Sequence, residues 1–146
     1  MQKKYQLPNM QFKFKIQAIG EESGLNWVGD FVYQRPTLKE RAMIEVMRAR
    51  LNGDLVTIDP DIAAYNEAIA HLRWTLKETP DWWKELDFGS QLYDANIILD
   101  IYNKCMLFEV EWKNKTHGGD PAQVEAGKNV IQDKESAPAS SGADVQ

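Results

Sequence analysis

At 146 residues and a formal net charge of −5, the chain is sized for one domain with one modest core. It does not suit phosphate-rich or anionic-membrane partners, which need clustered Lys and Arg. A single cysteine, Cys105, excludes an internal disulfide and points to a reducing compartment, while Tyr102, Met106 and Phe108 nearby predict a buried thiol. The basic start, Met1 to Pro8, leads into no apolar signal-peptide segment, and no uncharged apolar run approaches membrane-spanning length. The expected setting is a cytosol, with residues 1–9 a flexible lead into the domain.

The first element expected is a strand, because Phe12 to Ile19 alternates apolar and polar residues. Gly20-Glu21-Glu22-Ser23-Gly24 reads as a turn. Trp27 to Tyr33 then reads as a second strand, interrupted at Gly29-Asp30 by an expected bulge. A lone hairpin is marginal in water and has to pack on something else.

Helices supply that surface. Thr37 and Glu40 form a capping box after Arg35-Pro36, predicting a helix from Leu38 to about Leu51. Its inward face is expected to carry Leu38, Ala42, Met43, Val46, Met47 and Leu51, and Asn52-Gly53 ends it. Asp59-Pro60 predicts a second N-terminus. Ile62, Tyr65, Ile69, Leu72 and Leu76 then recur at helical spacing up to Thr79-Pro80.

Asp81 to Gly89 reads as an irregular connection. A third helix is expected from Ser90 or Gln91, with Leu92, Ala95, Leu99, Tyr102 and Met106 on one face and Ile98, Ile101 and Cys105 beside it. Phe108 to Trp112 fits either a short strand joining the hairpin or a continued helix, with the balance on the helix. Every Phe, Trp and Tyr lies between Tyr5 and Trp112. Beyond that the only large aliphatics are Val124, Val130, Ile131 and Val145, too few to offset ordering entropy. The expected organisation is one α+β domain over 10–115, a hairpin on about three helices, with a disordered tail over 116–146.

No residues converge on catalysis. His71 lies beside the apolar stripe of the second helix and His117 falls in the tail. No phosphate-binding loop or nucleophile elbow occurs, and a zinc site lacks ligands. Asp54, Asp59 and Asp61 lack the glycine and closing glutamate of a calcium loop, and Asp59 is already explained as a cap. Glu78, Asp81, Glu85 and Asp87 read as a solvated acidic loop. No enzyme, cofactor or metal is expected.

Three features suit binding instead. Arg35, Lys39, Arg41, Arg48 and Arg50 lie near or on the first helix but do not share one narrow stripe, so a solvated face is the plainer reading. Trp82 and Trp83 cannot easily both enter one small core. Either one locks the loop while the other lies over it, or one is an exposed anchor. Met43 and Met47 would make an adaptable surface, although core packing is the commoner use.

The order of these motifs carries a resemblance. Phe31-Val32-Tyr33-Gln34-Arg35-Pro36-Thr37-Leu38, then Arg41, Ile44 and Arg48, then Thr75-Leu76-Lys77-Glu78-Thr79-Pro80-Asp81-Trp82-Trp83, together resemble the tail assembly chaperones of long-tailed, siphovirus-like bacteriophages. The similarity spans roughly Trp27 to Trp112. It implies a non-enzymatic protein of the host cytoplasm that coats the apolar, helical tape measure protein and is absent from the mature virion. The tail tube protein is a further implied contact, and self-association is compatible. In that family a frameshift often extends the C-terminus, and Lys128-Asn129 is compatible with an A-rich slippery run. The alternative is a structural virion part, such as a head–tail connector or tail-completion protein.

Overall fold

Strands β1 (Gln11–Ile19) and β2 (Asn26–Gln34) pair antiparallel in unbroken register, from Gln11 opposite Gln34 to Ile19 opposite Asn26. This computed structural model describes residues 10–53 and 57–117. The alternation read from β1 puts Phe12, Phe14, Ile16 and Ala18 on one face, opposite Tyr33, Phe31, Gly29 and Trp27 of β2. Stacked rings run along it, with Phe12 and Phe14 at 5.1 Å between centroids and Phe14 and Phe31 at 5.4 Å.

The expected bulge at Gly29-Asp30 is not there, since Gly29 pairs with Ile16 and Asp30 with Lys15 in regular order. Gly29 has another purpose. A β-carbon on it would collide with the Pro80 ring, so the glycine lets that ring lie against the strand. The irregularity sits instead between Val32 and Tyr33, where β2 meets a third strand, β3 (Leu76–Glu78), giving the order β1-β2-β3.

Among the described residues, four helices complete an α+β fold. Helix α1 (Leu38–Asn52) has its capping box: the Thr37 hydroxyl accepts from Glu40 N at 3.2 Å and the Glu40 carboxylate accepts from Thr37 N at 3.0 Å. Gly53, at φ 65°, donates its N–H to Ala49 and Arg50 carbonyls and ends the helix. Helix α2 (Pro60–Thr75) starts on Asp59, whose carboxylate accepts from Asp61 N and Ile62 N. It stops short of Leu76, which belongs to β3 rather than to the helical stripe expected of it. The second edge of β2 offers unpaired backbone groups, and Leu76 and Glu78 pair with them opposite Tyr33 and Val32.

Residues expected as an irregular connection contain a short helix, α3 (Asp81–Glu85). The last helix, α4 (Ala95–His117), begins about one turn later than expected, because Ser90 to Asp94 is used in turns. Its buried face is centred on Ile97, Ile98, Ile101 and Cys105, displaced from the expected Ala95, Leu99, Tyr102 and Met106. Phe108 to Trp112 is helical. Thr116 and His117, placed in the expected tail, are also helical, and residues 118–146 lie outside the described residues, as do 1–9 and Asp54.

The chain divides after Phe108 into two units. In the first, the core joins the inner face of the sheet to Ala68, Ile69 and Leu72 of α2, Trp83 of α3 and the buried residues of α4, with Phe108 stacked on Phe12 at 5.1 Å. In the second, the Thr116 hydroxyl donates to Trp112 O within the last turns of α4.

Candidate functional site

Helix α1 departs most from the sequence expectation. Of its residues only Ile44 is buried, and Leu38, Val46, Leu51 and Met43 are among the exposed large hydrophobics, Leu38 at 82%. Ala42 is exposed too. The six side chains expected to face inward are spread over more than half the helix circumference at about 100° per residue, so one neighbour cannot cover them all. That neighbour is α2, joined to α1 by Asn66 Nδ2 donating to Asn52 Oδ1 at 2.9 Å. Lys77 of β3 adds an ion pair with Glu40 at 2.5 Å.

What α2 leaves uncovered forms a groove of about 350 Å³. Met43, Val46, Met47, Leu51 and Trp74 line it with apolar side chains, and Arg50 and Arg73 add charged ones. Met43 and Met47, picked out from the sequence as adaptable binding residues, come together here. Val46 and Leu51, expected to face the core, join them, together with Arg73 and Trp74, for which the sequence suggests no binding role. Trp74 carried a usable signal, because it falls on the opposite side of α2 from the Ile62–Ile69–Leu72 stripe. Its indole N–H is buried with no acceptor among the described residues.

The tryptophan pair takes the other arrangement left open by the sequence. Trp83 is fully buried, edge-on to Phe31 at 5.7 Å. A side chain with no exposed area cannot touch a partner unless the fold opens. Trp82 lies over it, half-buried, and its indole donates to Val28 O at 2.9 Å. Trp83 also bears on the groove, through the turn that follows α3. After α3 the chain takes left-handed φ at Asp87 (52°), Phe88 (54°) and Gly89 (86°). A β-carbon on Gly89 would come within 2.5 Å of Trp83 Cη2, so the turn closes tightly over the buried indole. The same turn sets the Phe88 ring 3.8 Å from the Arg73 guanidinium, which also lies 5.6 Å from the Trp74 ring. Arg73 is thus held in the groove wall.

A second concavity, of about 610 Å³, lies where β2 enters α1. Met10, Pro36 and Leu38 line it together with Arg35, Lys39 and Arg41.

The titratable groups have structural work. Asp94 is buried just ahead of α4, and its carboxylate accepts from Glu22 N, Ser23 N, Ser23 Oγ and Trp27 Nε1 at 2.6–2.9 Å. The Ser23 hydroxyl, with the other donors, overcomes the opposing effect of burial and holds the Asp94 carboxyl at about 2. Asn96 extends the pin, donating to Ile19 O and accepting from Glu21 N, both at 3.0 Å. The hairpin turn is thereby fixed to the start of α4. His71 shares a 3.0 Å hydrogen bond with the buried Tyr33 hydroxyl and meets the Tyr102 ring edge-on. Cys105 is buried. Asp59 caps α2, and among the described residues no three His, Cys, Asp or Glu side chains gather as a metal site would require. No described helix is long and apolar enough to cross a membrane.

Compared with known family profiles, curated proteins and solved structures, the chain matches none.

Proposed function

We propose that this chain is a non-enzymatic tail assembly chaperone of a long-tailed bacteriophage. It binds the helical tape measure protein in the host cytoplasm and keeps it dissolved until the tail tube assembles around it. One structural observation supports the reading most strongly: α1 turns most of its large hydrophobic side chains toward solvent and builds an apolar, methionine-containing groove with α2. A groove of this kind suits one face of an amphipathic helix, read by anchors three and four residues apart. Methionines let one groove accommodate many successive helical segments, as a partner with a long and varied apolar surface demands. The order of motifs from Phe31 to Trp83 supports the same reading.

Co-expression with the tape measure protein of the same phage tests the proposal. The tape measure protein is expected in the soluble fraction, co-purifying with this chain. Mass spectrometry of purified virions is expected to find the chain absent. Its stoichiometric presence there would replace the chaperone reading with that of a structural connector or tail-completion part.

A further inference from the structure

Lys39, Met43, Val46 and Arg50 recur at i, i+4, i+7 and i+11, so they lie in one stripe along α1, about 16 Å from end to end. All four are exposed. The sequence is symmetrical in chemistry, with a cation, two apolar side chains and a second cation. Arg41 and Arg48 lie round on the other side, where Arg48 pairs with Glu45. Among the described residues neither Lys39 nor Arg50 takes part in an ion pair. Across the groove Trp74 continues the apolar surface and Arg73 adds a third positive charge.

We propose that this stripe selects a particular class of helix: one with two large aliphatic residues a turn apart, flanked by a carboxylate one turn further out at each end. The inference rests on the helix-binding reading above and specifies the segments of the partner that are bound. The spacing four, three, four is the same in both directions, so the helix can dock parallel or antiparallel with its carboxylates reaching Lys39 and Arg50. Arg73 disfavours a basic residue at the centre. Rim charges of this kind contribute modestly to affinity and strongly to the choice of partner.

The test uses the full chain and three dye-labelled synthetic amphipathic helices, identical except that the two flanking positions are both Glu, both Gln or both Lys. Fluorescence anisotropy at low salt is expected to rank them Glu, then Gln, then Lys, with about three- to tenfold between neighbours. The ranking is expected to collapse in about 0.5 M salt, where screening reaches only a few ångströms. In the double variant Lys39→Glu/Arg50→Glu, whose fold is checked by circular dichroism, the order reverses. Equal affinity for all three peptides, or an unreversed order in the folded variant, overturns the inference. If no peptide binds while the tape measure protein still co-purifies, the charge rule is wrong and the chaperone reading stands; if neither associates, both fail. Self-association that the double variant abolishes and the Glu peptide cannot displace would make a second copy the occupant, which also overturns it.

Discussion

Replacing Met43 and Val46 together by glutamine separates a binding groove from a hydrophobic core. Glutamine matches methionine in helix propensity and exceeds valine, so α1 itself should not weaken. Fully burying such a side chain is worth about 1.5–3 kcal/mol. Met43 is 37% exposed and Val46 is 45% exposed, so roughly half of that is at stake at each site. Glutamine's own methylenes retain part of the contact. The expected loss is therefore about 1–2 kcal/mol in total, or some 5–15 °C in Tm for a domain of this size. Ile44, the buried anchor of the same helix, supplies the scale: Ile44→Ala should cost about 2–5 kcal/mol. Urea unfolding and circular dichroism give the stabilities, and anisotropy with the glutamate-flanked peptide gives the binding. The double glutamine variant should remain folded and lose at least tenfold in affinity, because apolar anchors at the centre of an interface cost about 1–2 kcal/mol each when removed. Unchanged binding would mean that the groove is not the contact surface. A stability loss matching that of Ile44→Ala would mean that these side chains are core.

Three further expectations follow from the fold. Gly29→Ala drives a β-carbon into the stiff Pro80 ring, and a loss of about 1–3 kcal/mol is expected, measurable as a lower urea midpoint with unchanged slope. Trp83→Ala should cost about 3–5 kcal/mol, against about 0.5–1.5 kcal/mol for Trp82→Phe, which mainly removes the bond to Val28 O; similar losses would contradict their different burial. Asp94 titrates at about 2 in the fold against an ordinary 3.8, so the folded state favours its ionised form. Its contribution is complete above pH 3.8 and is lost as pH falls from there toward 2. Urea midpoints between pH 2 and 5 should therefore fall less steeply in Asp94→Asn than in the wild-type chain, and parallel slopes would show that the carboxylate does not stay charged in the hairpin pin.

Local chemistry was readable wherever the signal and its partner lie close in sequence. Thr37 with Glu40, Asp59 with Pro60, and Gly53 each announce a helix end through bonds made within a few residues. The β1 alternation gives both the strand and its inner face. Long-range pairing was hidden. A three-residue strand has no period, and Leu76 happens to continue the α2 stripe, so β3 read as helix until the free edge of β2 was in place. The late start of α4 depends on Asp94 holding backbone and side-chain groups of a turn some seventy residues earlier. Gly29 looked like a bulge because its real neighbour, Pro80, is distant in sequence. At the groove, Met43 and Met47 were legible as adaptable side chains, but the exposure of α1 was not. Apolar residues predict burial by default, and only the position of α2, the main neighbour of α1 among the described residues, reveals how many remain uncovered.

The most direct test is the solubility of the tape measure protein when it is co-expressed with this chain, wild type or carrying Met43→Gln and Val46→Gln. A chaperone acting through the α1–α2 groove keeps the tape measure protein soluble and co-purifying only as the wild type. If the tape measure protein is equally soluble with the variant, or equally insoluble with both, the groove does not hold it.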